Sequence, residues 1–397
     1  MTPAGEEKNI HRLGLVSLLN DMSSEIIQPI LPLFISSLGG GGLAIGLIGG
    51  ISEGIPSLLK IYSGYWADRL GKRKPLVIAG YAISTLAKML LPLSEAWTHV
   101  FLAKTLERCG KGVRSAPRDG IVADSVRSDL RGRGFGLLRA LDSTGAVGGS
   151  ILAFLLWQAG IEIRTILVIA ALLALLAFIP LLLVEDVAAA RSPGMRMSLD
   201  GLNQDLRRFV LIAALFALGN FSYMFFLLRA GELYSGAMAL GAPLLLYILF
   251  NAVYAAMSVP SGILSDRIGR RRVLACGYGL FSAVCLGFAL VSSTEGLVIL
   301  FLLYGLVFAL VDGTERAFVS DLSCSSTRCS SLGVYHGAVG ISAIASGIAA
   351  GLLWQSWGSK ATFIFGSIAA LLSALAVLSL CREGPRDLMG DAALRNG

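Results

Sequence analysis

The stretch SGYWADRLGKRKP, from Ser63 to Pro75, returns almost letter for letter as SGILSDRIGRRRV, from Ser261 to Val273. Each copy ends an apolar run with a glycine, then an Asp-Arg pair, a second glycine and a basic cluster, the pattern of a hydrophobic helix that leaves lipid and turns sharply. Lys and Arg in a short loop mark the cytoplasmic side of a membrane. Aligning Asp68 with Asp266 sets a shift of 266 − 68 = 198, and within one residue the shift holds elsewhere. Gly80-Tyr81 recurs as Gly277-Tyr278, Asp124 as Asp321, and Leu155-Leu156-Trp157-Gln158 as Leu352-Leu353-Trp354-Gln355. Two homologous halves are joined in the middle.

Of 397 residues 55% are hydrophobic and only 15% charged, against roughly 25% charged in a soluble domain. That balance reads as an all-α polytopic membrane protein. The polar start MTPAGEEKNIHR has no apolar core with a small-residue cleavage site, so the first apolar run is expected to be a retained helix. Cys109, Cys276 and Cys285 fall in apolar segments and Cys324, Cys329 and Cys381 near cytoplasmic ones, with no metal-ligand spacing. Neither a disulfide nor a metal is expected. The net charge of +7 follows from cations in alternate loops and calls for no nucleic-acid partner.

Runs near 20 apolar residues span a bilayer, and twelve are expected. They run from Leu13 to Leu38, Leu43 to Trp66, Pro75 to Leu93, Trp97 to Val122, Phe135 to Trp157, Ile163 to Val184, Phe209 to Leu228, Ala242 to Leu264, Val273 to Val291, Gly296 to Val319, Leu332 to Trp354 and Ala361 to Leu380. The cationic loops alternate with loops nearly free of cations, which puts both termini in the cytoplasm. Residues 1–184 would form one six-helix bundle, 185–208 a cytoplasmic linker and 209–397 a second bundle with a short tail. SLDGLNQDLRRF in the linker has the pattern of a short amphipathic surface helix.

ILVIAALLALLAFIPLLLV of the sixth span and ATFIFGSIAALLSALAVLSL of the twelfth carry no charge and read as outer scaffold. The first, second, fourth and fifth carry Asp21, Glu25, Glu53, Arg108, Lys111, Arg118, Arg139 and Asp142, each costly in lipid and so expected to face the bundle interior or water. A polar cavity between the halves follows. The second half has Asn251 for Glu53, His336 for Arg139 and Val339 for Asp142, so the first half carries most of the charge. Asn20, Asn220, Glu315 and Arg316 complete the candidate lining.

Gly64-x-x-x-Asp68-Arg69-x-Gly71-Lys72-Arg73, repeated as Gly262-x-x-x-Asp266-Arg267-x-Gly269-Arg270-Arg271, resembles the signature loop of the major facilitator superfamily. The resemblance covers nearly the whole chain. It implies two pseudo-symmetric six-helix bundles around a midplane cavity, working by rocking alternating access. Arg108-x-x-Lys111-Gly112 resembles an Arg-x-x-Gln-Gly element of proton-coupled members, with Lys111 in place of Gln. Gly145-Ala146-Val147-Gly148-Gly149 partly resembles an antiporter element, without its proline. NDMSSEIIQPILPLF and RCGKGVRSAPRDGIVADS are similar to prokaryotic efflux-like permeases of unassigned substrate. In the family, Lys72 with Asp124, and Arg270 with Asp266 and Asp321, would form a latch that holds the bundles together at the cytoplasmic mouth. Charges that merely set topology are the alternative.

Asp21 and Glu25 lie four apart, on one face of a helix, which Pro29 and Pro32 loosen just beyond. Two carboxylates sharing a face repel, which favours a proton on one of them; fixed pairing with a cation is the alternative. Arg108, Lys111 and Arg118 form one stripe, within about 80 degrees at 3.6 residues per turn, with Asp21, Glu25, Glu53 and Asp142 as available counter-charges. Arg118-Asp119 corresponds, at a shift of 197, to Glu315-Arg316 with the charge order reversed, which allows attraction across the cavity or local pairing. His336 is either a hydrogen-bonded interior residue or a proton carrier. Lys88 reads as snorkelling to headgroups at the outer end of the third span.

These features fit a secondary transporter that exports a small organic, amphipathic molecule across the cytoplasmic membrane in exchange for protons, acting as a monomer without a cofactor. Uptake of an anionic solute by symport, on Arg108, Lys111 and Arg118, and movement of a lipid stay open. No His-Glu-x-x-His, P-loop or nucleophile elbow supports an enzyme.

Overall fold

The computed structural model describes residues 3–70, 72–125, 131–186, 204–236, 238–323 and 328–380, and among them every regular element is helical. In chain order these are α1 (Pro3–Ile27), α2 (Leu31–Ser37), α3 (Gly42–Leu70), α4 (Lys74–Leu90), α5 (Trp97–Asp124), α6 (Arg131–Gln158), α7 (Ile163–Leu176) and α8 (Phe178–Leu182). The second half holds α9 (Gln204–Gly219), α10 (Tyr223–Leu233), α11 (Met238–Ile268), α12 (Arg270–Leu290), α13 (Thr294–Asp321), α14 (Arg328–Trp357) and α15 (Ser359–Ser379).

Ten stretches of the described chain are long and apolar enough to cross a membrane. α1 and α5, of 25 and 28 residues, have the length without the apolarity. In α5 the offending side chains Lys104, Glu107, Arg108 and Arg114 are turned inward and buried, which is how a charged helix stays out of contact with lipid. Of the twelve spans expected from sequence, ten are thus matched by length and composition, and the first and fourth by length alone.

Three spans are interrupted. The first stops at Ile27 and restarts at Leu31, because Pro29 cannot continue the helical hydrogen bonding and Pro32 suits the first turn of α2. The sixth breaks between α7 and α8 just ahead of Pro180. The seventh breaks at Asn220-Phe221-Ser222 with no proline to mark it, and Ser222 Oγ caps α10 by accepting the Met224 N–H at 3.4 Å. Part of the amphipathic linker segment, residues 198–203, lies outside the described residues; Gln204 onwards belongs to α9.

The helices of each half pack mainly on one another, α1 on α6 and α7, α5 on α3 and α4, α12 on α13 and α15, and α9 on α14 and α15. The repeat is visible in this packing. Gly80 on α4 sits against Arg114 of α5, and 197 residues on (277 − 80 = 311 − 114) Gly277 of α12 sits against Val311 of α13. The interior of the second half is aromatic: Phe216 stacks on Tyr278 at 4.0 Å and Phe226 on Tyr304 at 4.2 Å.

The halves meet along two seams. On α3, Gly42, Gly46, Gly50 and Gly54 recur every fourth residue and face Gly340, Gly347 and Gly351 of α14. A methyl added at Gly46 would lie 3.0 Å from Gly351 Cα, and one at Gly351 would lie 2.7 Å from the Gly42 carbonyl oxygen, so the two backbones touch as in small-residue membrane interfaces. α6 meets α11 where the Trp157 ring lies against Gly241, at the end of the molecule away from the signature loops.

Candidate functional site

Where α1, α3, α5, α10 and α11 converge, charges from the first half meet hydroxyls from the second. Glu25 on α1 accepts a hydrogen bond from Tyr247 on α11, Oη to Oε2, at 2.7 Å. One turn on, Tyr223 of α10 donates to the backbone oxygen of Gln28 at 3.2 Å and to its side-chain oxygen. The two tyrosine rings lie 5.4 Å apart. These bonds join α1 to the second half beside the Gln28–Ile30 break.

Asp21, Lys111 and Arg108 surround Glu25 electrostatically, and Glu53 lies in the same field as Arg108 and Lys111. The cluster thus unites Asp21, Glu25, Glu53, Arg108 and Lys111, five residues singled out from sequence. Lys111 and Glu53 are exposed although both sit mid-helix, which places them on an open space. Arg108 is 3% exposed. Its Nε stands 3.9 Å from Glu107 Oε2 and makes no hydrogen bond, while Glu107 accepts from Lys104.

Arg118 forms a second group. It donates to Ser17 Oγ at 2.6 Å and stands 3.3 Å from Asp119 Oδ1 and 3.9 Å from Asp142 Oδ1. In the second half Arg316 is bonded to Asp312 of its own helix, whose Oδ2 also accepts from Tyr254 at 2.8 Å. Glu315 points the other way, into its own half. Of the two arrangements open to Arg118-Asp119 and Glu315-Arg316, this structure has the local one, with each charge partnered within its own half. Lys60, Asp119, Asp312 and Arg316 keep 44%, 36%, 44% and 37% of their side chains exposed, so the space between the halves is open on the signature-loop side.

Lys88 corrects the sequence reading. It is 2% exposed and donates to the backbone oxygen of Asn20 at 3.2 Å, to Asn20 Oδ1 at 3.4 Å, and to Ser23 and Ser24 Oγ at 3.0 and 2.9 Å. Four oxygens on α1 draw the ammonium inward rather than to headgroups. Asn20 is thereby turned toward α4. Asn220 and Asn251 each keep a buried amide atom without a hydrogen-bond partner, and Asn251 lies against Tyr247. His336 is half-buried beside the Tyr335 ring. Arg139 has no described side chain.

At the second signature loop Arg270 binds Asp321 at 2.6 Å and Asp266 at 2.7 Å and donates to Ser265 Oγ at 2.8 Å. Gly269 has φ +94°, a conformation that favours glycine. All these groups belong to one half, and in this structure the triad ties α11, α12 and α13 together. In the first copy Asp186 accepts from the N–H groups of Arg73 and Lys74 at 3.3 and 3.2 Å, capping α4, and the Arg73 guanidinium lies on Gly120 of α5. Gly64 packs near Ala116, whereas the space around Gly262 is open. Arg69, Lys72 and Arg267 are exposed. Gly71 and the side chains of Asp68 and Asp124 lie outside what is described, so the Lys72–Asp124 bridge does too.

Sequence reasoning missed Tyr223 and Tyr247, whose partners lie 195 and 222 residues away. Glu107 and Asp312 were within reach of it: Lys104-x-x-Glu107 and Asp312-x-x-x-Arg316 are helical charge pairs inside apolar spans.

The Major Facilitator Superfamily pattern matches residues 13–246 and 209–393. An uncharacterised MFS-type transporter of Methanocaldococcus jannaschii is 44% identical over 377 residues, 94% of each chain. The multidrug resistance protein MdtH of Cronobacter sakazakii is 31% identical over 153 residues, 38% of this chain and 37% of that one. Among solved structures, the nucleoside transporter NupG superposes with a TM-score of 0.78 at 15% identity, covering 94% of this chain and 100% of the other. The human organic anion transporter MFSD10 superposes with a TM-score of 0.67 at 19% identity, covering 94% and 99%. With the repeated signature loop and the paired helical halves, these matches make the chain a member of the major facilitator superfamily of membrane transporters.

Proposed function

We propose that the protein is a proton-coupled secondary transporter that moves a small organic solute through the space between its halves, with Glu25 at the centre of coupling. The Glu25–Tyr247 hydrogen bond carries this reading. An ionised Glu25 accepts from a phenol on the opposite half and stabilises their contact at that level; a protonated or solute-engaged Glu25 weakens it. A proton and a solute that compete for this carboxylate each loosen the same contact, and because the site holds one of them at a time, they cross in exchange for one another. Asp21, Glu53 and Asp142 are the further carboxylates able to carry the proton.

The signature-loop side is assigned to the cytoplasm by its Lys and Arg content. The space is then open inward in this state, with both termini cytoplasmic, in the cytoplasmic membrane. Export is the direction the partial likeness to multidrug resistance proteins supports. A second reading, transport of an anionic solute, draws on Arg108, whose buried Nε lacks a hydrogen-bond partner.

The test uses proteoliposomes with an imposed pH gradient and an internal pH dye, challenged with aromatic cations, aromatic anions and neutral solutes. Solute-evoked proton movement absent from empty vesicles is expected for at least one class. Solute crossing with no proton movement at any gradient overturns the coupling and leaves facilitated or lipid-type transport.

A further inference from the structure

Glu315 on α13 is a carboxyl group 7% exposed, buried within the second half and apart from the central charges. Oε1 accepts from Tyr278 of α12 at 2.5 Å and Oε2 from Tyr335 of α14. No cation bonds it. Arg316, its neighbour in sequence, is held by Asp312. The other groups of its surroundings are Asp312 itself, one turn back on α13, Tyr254 of α11 beyond Asp312, and His336 beside Tyr335. From α9, Phe216 stacks on Tyr278.

The repeat gives this slot a counterpart. The pair Tyr278 and Glu315 corresponds to Tyr81 and Arg118, since 278 − 81 = 315 − 118 = 197. Tyr81 lies in the field of Arg118, and Arg114 stands over its ring at 4.4 Å. The first half therefore fills the slot with a guanidinium, always charged and already paired with Asp119. The second half fills it with an acid, the one side chain of the two whose charge can change.

We propose that Glu315 is a proton-binding site of the second half, and that its ionised form holds α14 to α12 and α13 through Tyr335. Ionised, the carboxylate accepts two phenol hydrogens and both oxygens are satisfied. Protonated, it carries an O–H of its own. The two phenol oxygens are the acceptors at hand, so one tyrosine must turn from donor to acceptor and give up its bond. Asp312, half-exposed to the open space, provides the route for the proton. The consequence reaches the seam, because α14 is the helix whose glycines lie against α3. This site goes beyond the transport reading and is tested without any solute.

Purified protein in lipid nanodiscs is titrated with acid while infrared difference spectra and amide hydrogen exchange over residues 331–345 are recorded. Wild type is expected to gain a carboxylic C=O band that Glu315→Gln lacks, and its exchange is expected to rise over the same pH range. In Glu315→Gln, a neutral isostere, exchange is already fast at alkaline pH. Tyr335→Phe keeps the band, displaces its pH midpoint and also exchanges fast, so the proposal stays testable if Glu315→Gln does not fold. Identical band patterns in wild type and Glu315→Gln, or a Tyr335→Phe midpoint equal to wild type, overturn the proton site. Exchange of α14 that ignores pH in wild type overturns its link to the seam.

Discussion

The phenol of Tyr247 on α11 donates to the carboxylate of Glu25 on α1 at 2.7 Å, across the seam between the two halves. A hydrogen bond to a charged group contributes about 1.5–3 kcal/mol. In the Tyr247→Phe protein the balance between conformations should accordingly shift about ten- to a hundredfold. Alkylation of a cysteine placed at Lys60, 44% exposed on the signature-loop side of the space, reports the opening there in a background without other cysteines. Its labelling rate should fall or rise with the substitution; a rate equal to that of the Tyr247 protein would show that the bond does not bias the halves.

The α3–α14 seam has no room for side chains. Gly46→Leu places a branched group where even a methyl meets the backbone of α14, and overpacking of this kind costs about 1–3 kcal/mol or more. Solute transport should drop sharply and apparent thermal stability in detergent should fall, whereas Gly148→Ala, with nothing within 4 Å of the added methyl, should leave both unchanged. Equal behaviour of the two variants would mean that the halves do not touch here.

Lys88 should be a stability residue and not a headgroup anchor. Lys88→Met strands oxygens of Asn20, Ser23 and Ser24 that now accept from its ammonium, and each buried acceptor left without a donor costs about 1–3 kcal/mol. A melting temperature several degrees below wild type is expected in detergent. A snorkelling lysine would instead tolerate the change.

What was legible in the sequence follows the range of each interaction. The duplicated Gly-Asp-Arg-Gly-basic loop is local and repeated, so it carried the fold. Asp21, Glu25, Glu53, Arg108 and Lys111 stood out because charge inside an apolar run is rare, and the structure gathers them into one cluster. Their partners did not stand out: a tyrosine in an apolar span looks like core until Glu25 is known to face it. Lys88 was misread because a lysine near a span end looks the same whether lipid headgroups or the serines of α1 receive it. The glycines every fourth residue on α3 were passed over, since their partner helix lies nine spans away and contact between the second and eleventh spans is long-range. The break at Asn220 carries no proline and left no mark.

The Arg270 triad predicts a small effect on stability. Asp321 and Asp266 keep 45% and 59% of their side chains exposed, and exposed ion pairs contribute about 0–1 kcal/mol. Asp321→Asn should therefore change the melting temperature by no more than a few degrees at low salt, and less at high salt. A large, salt-independent drop would show that Arg270 is held in a dry site and that the triad is a structural core of the second half.

Proton coupling through Glu25 is tested most directly by reconstituting wild type and Glu25→Gln side by side. Both are assayed for solute exchange between two sides at equal pH and for proton movement evoked by the same solute. Glu25→Gln should still exchange solute, since the halves can rock without a titrating group, and should move no protons. Proton movement equal to wild type in Glu25→Gln would contradict the account and shift coupling to Asp21, Glu53 or Asp142.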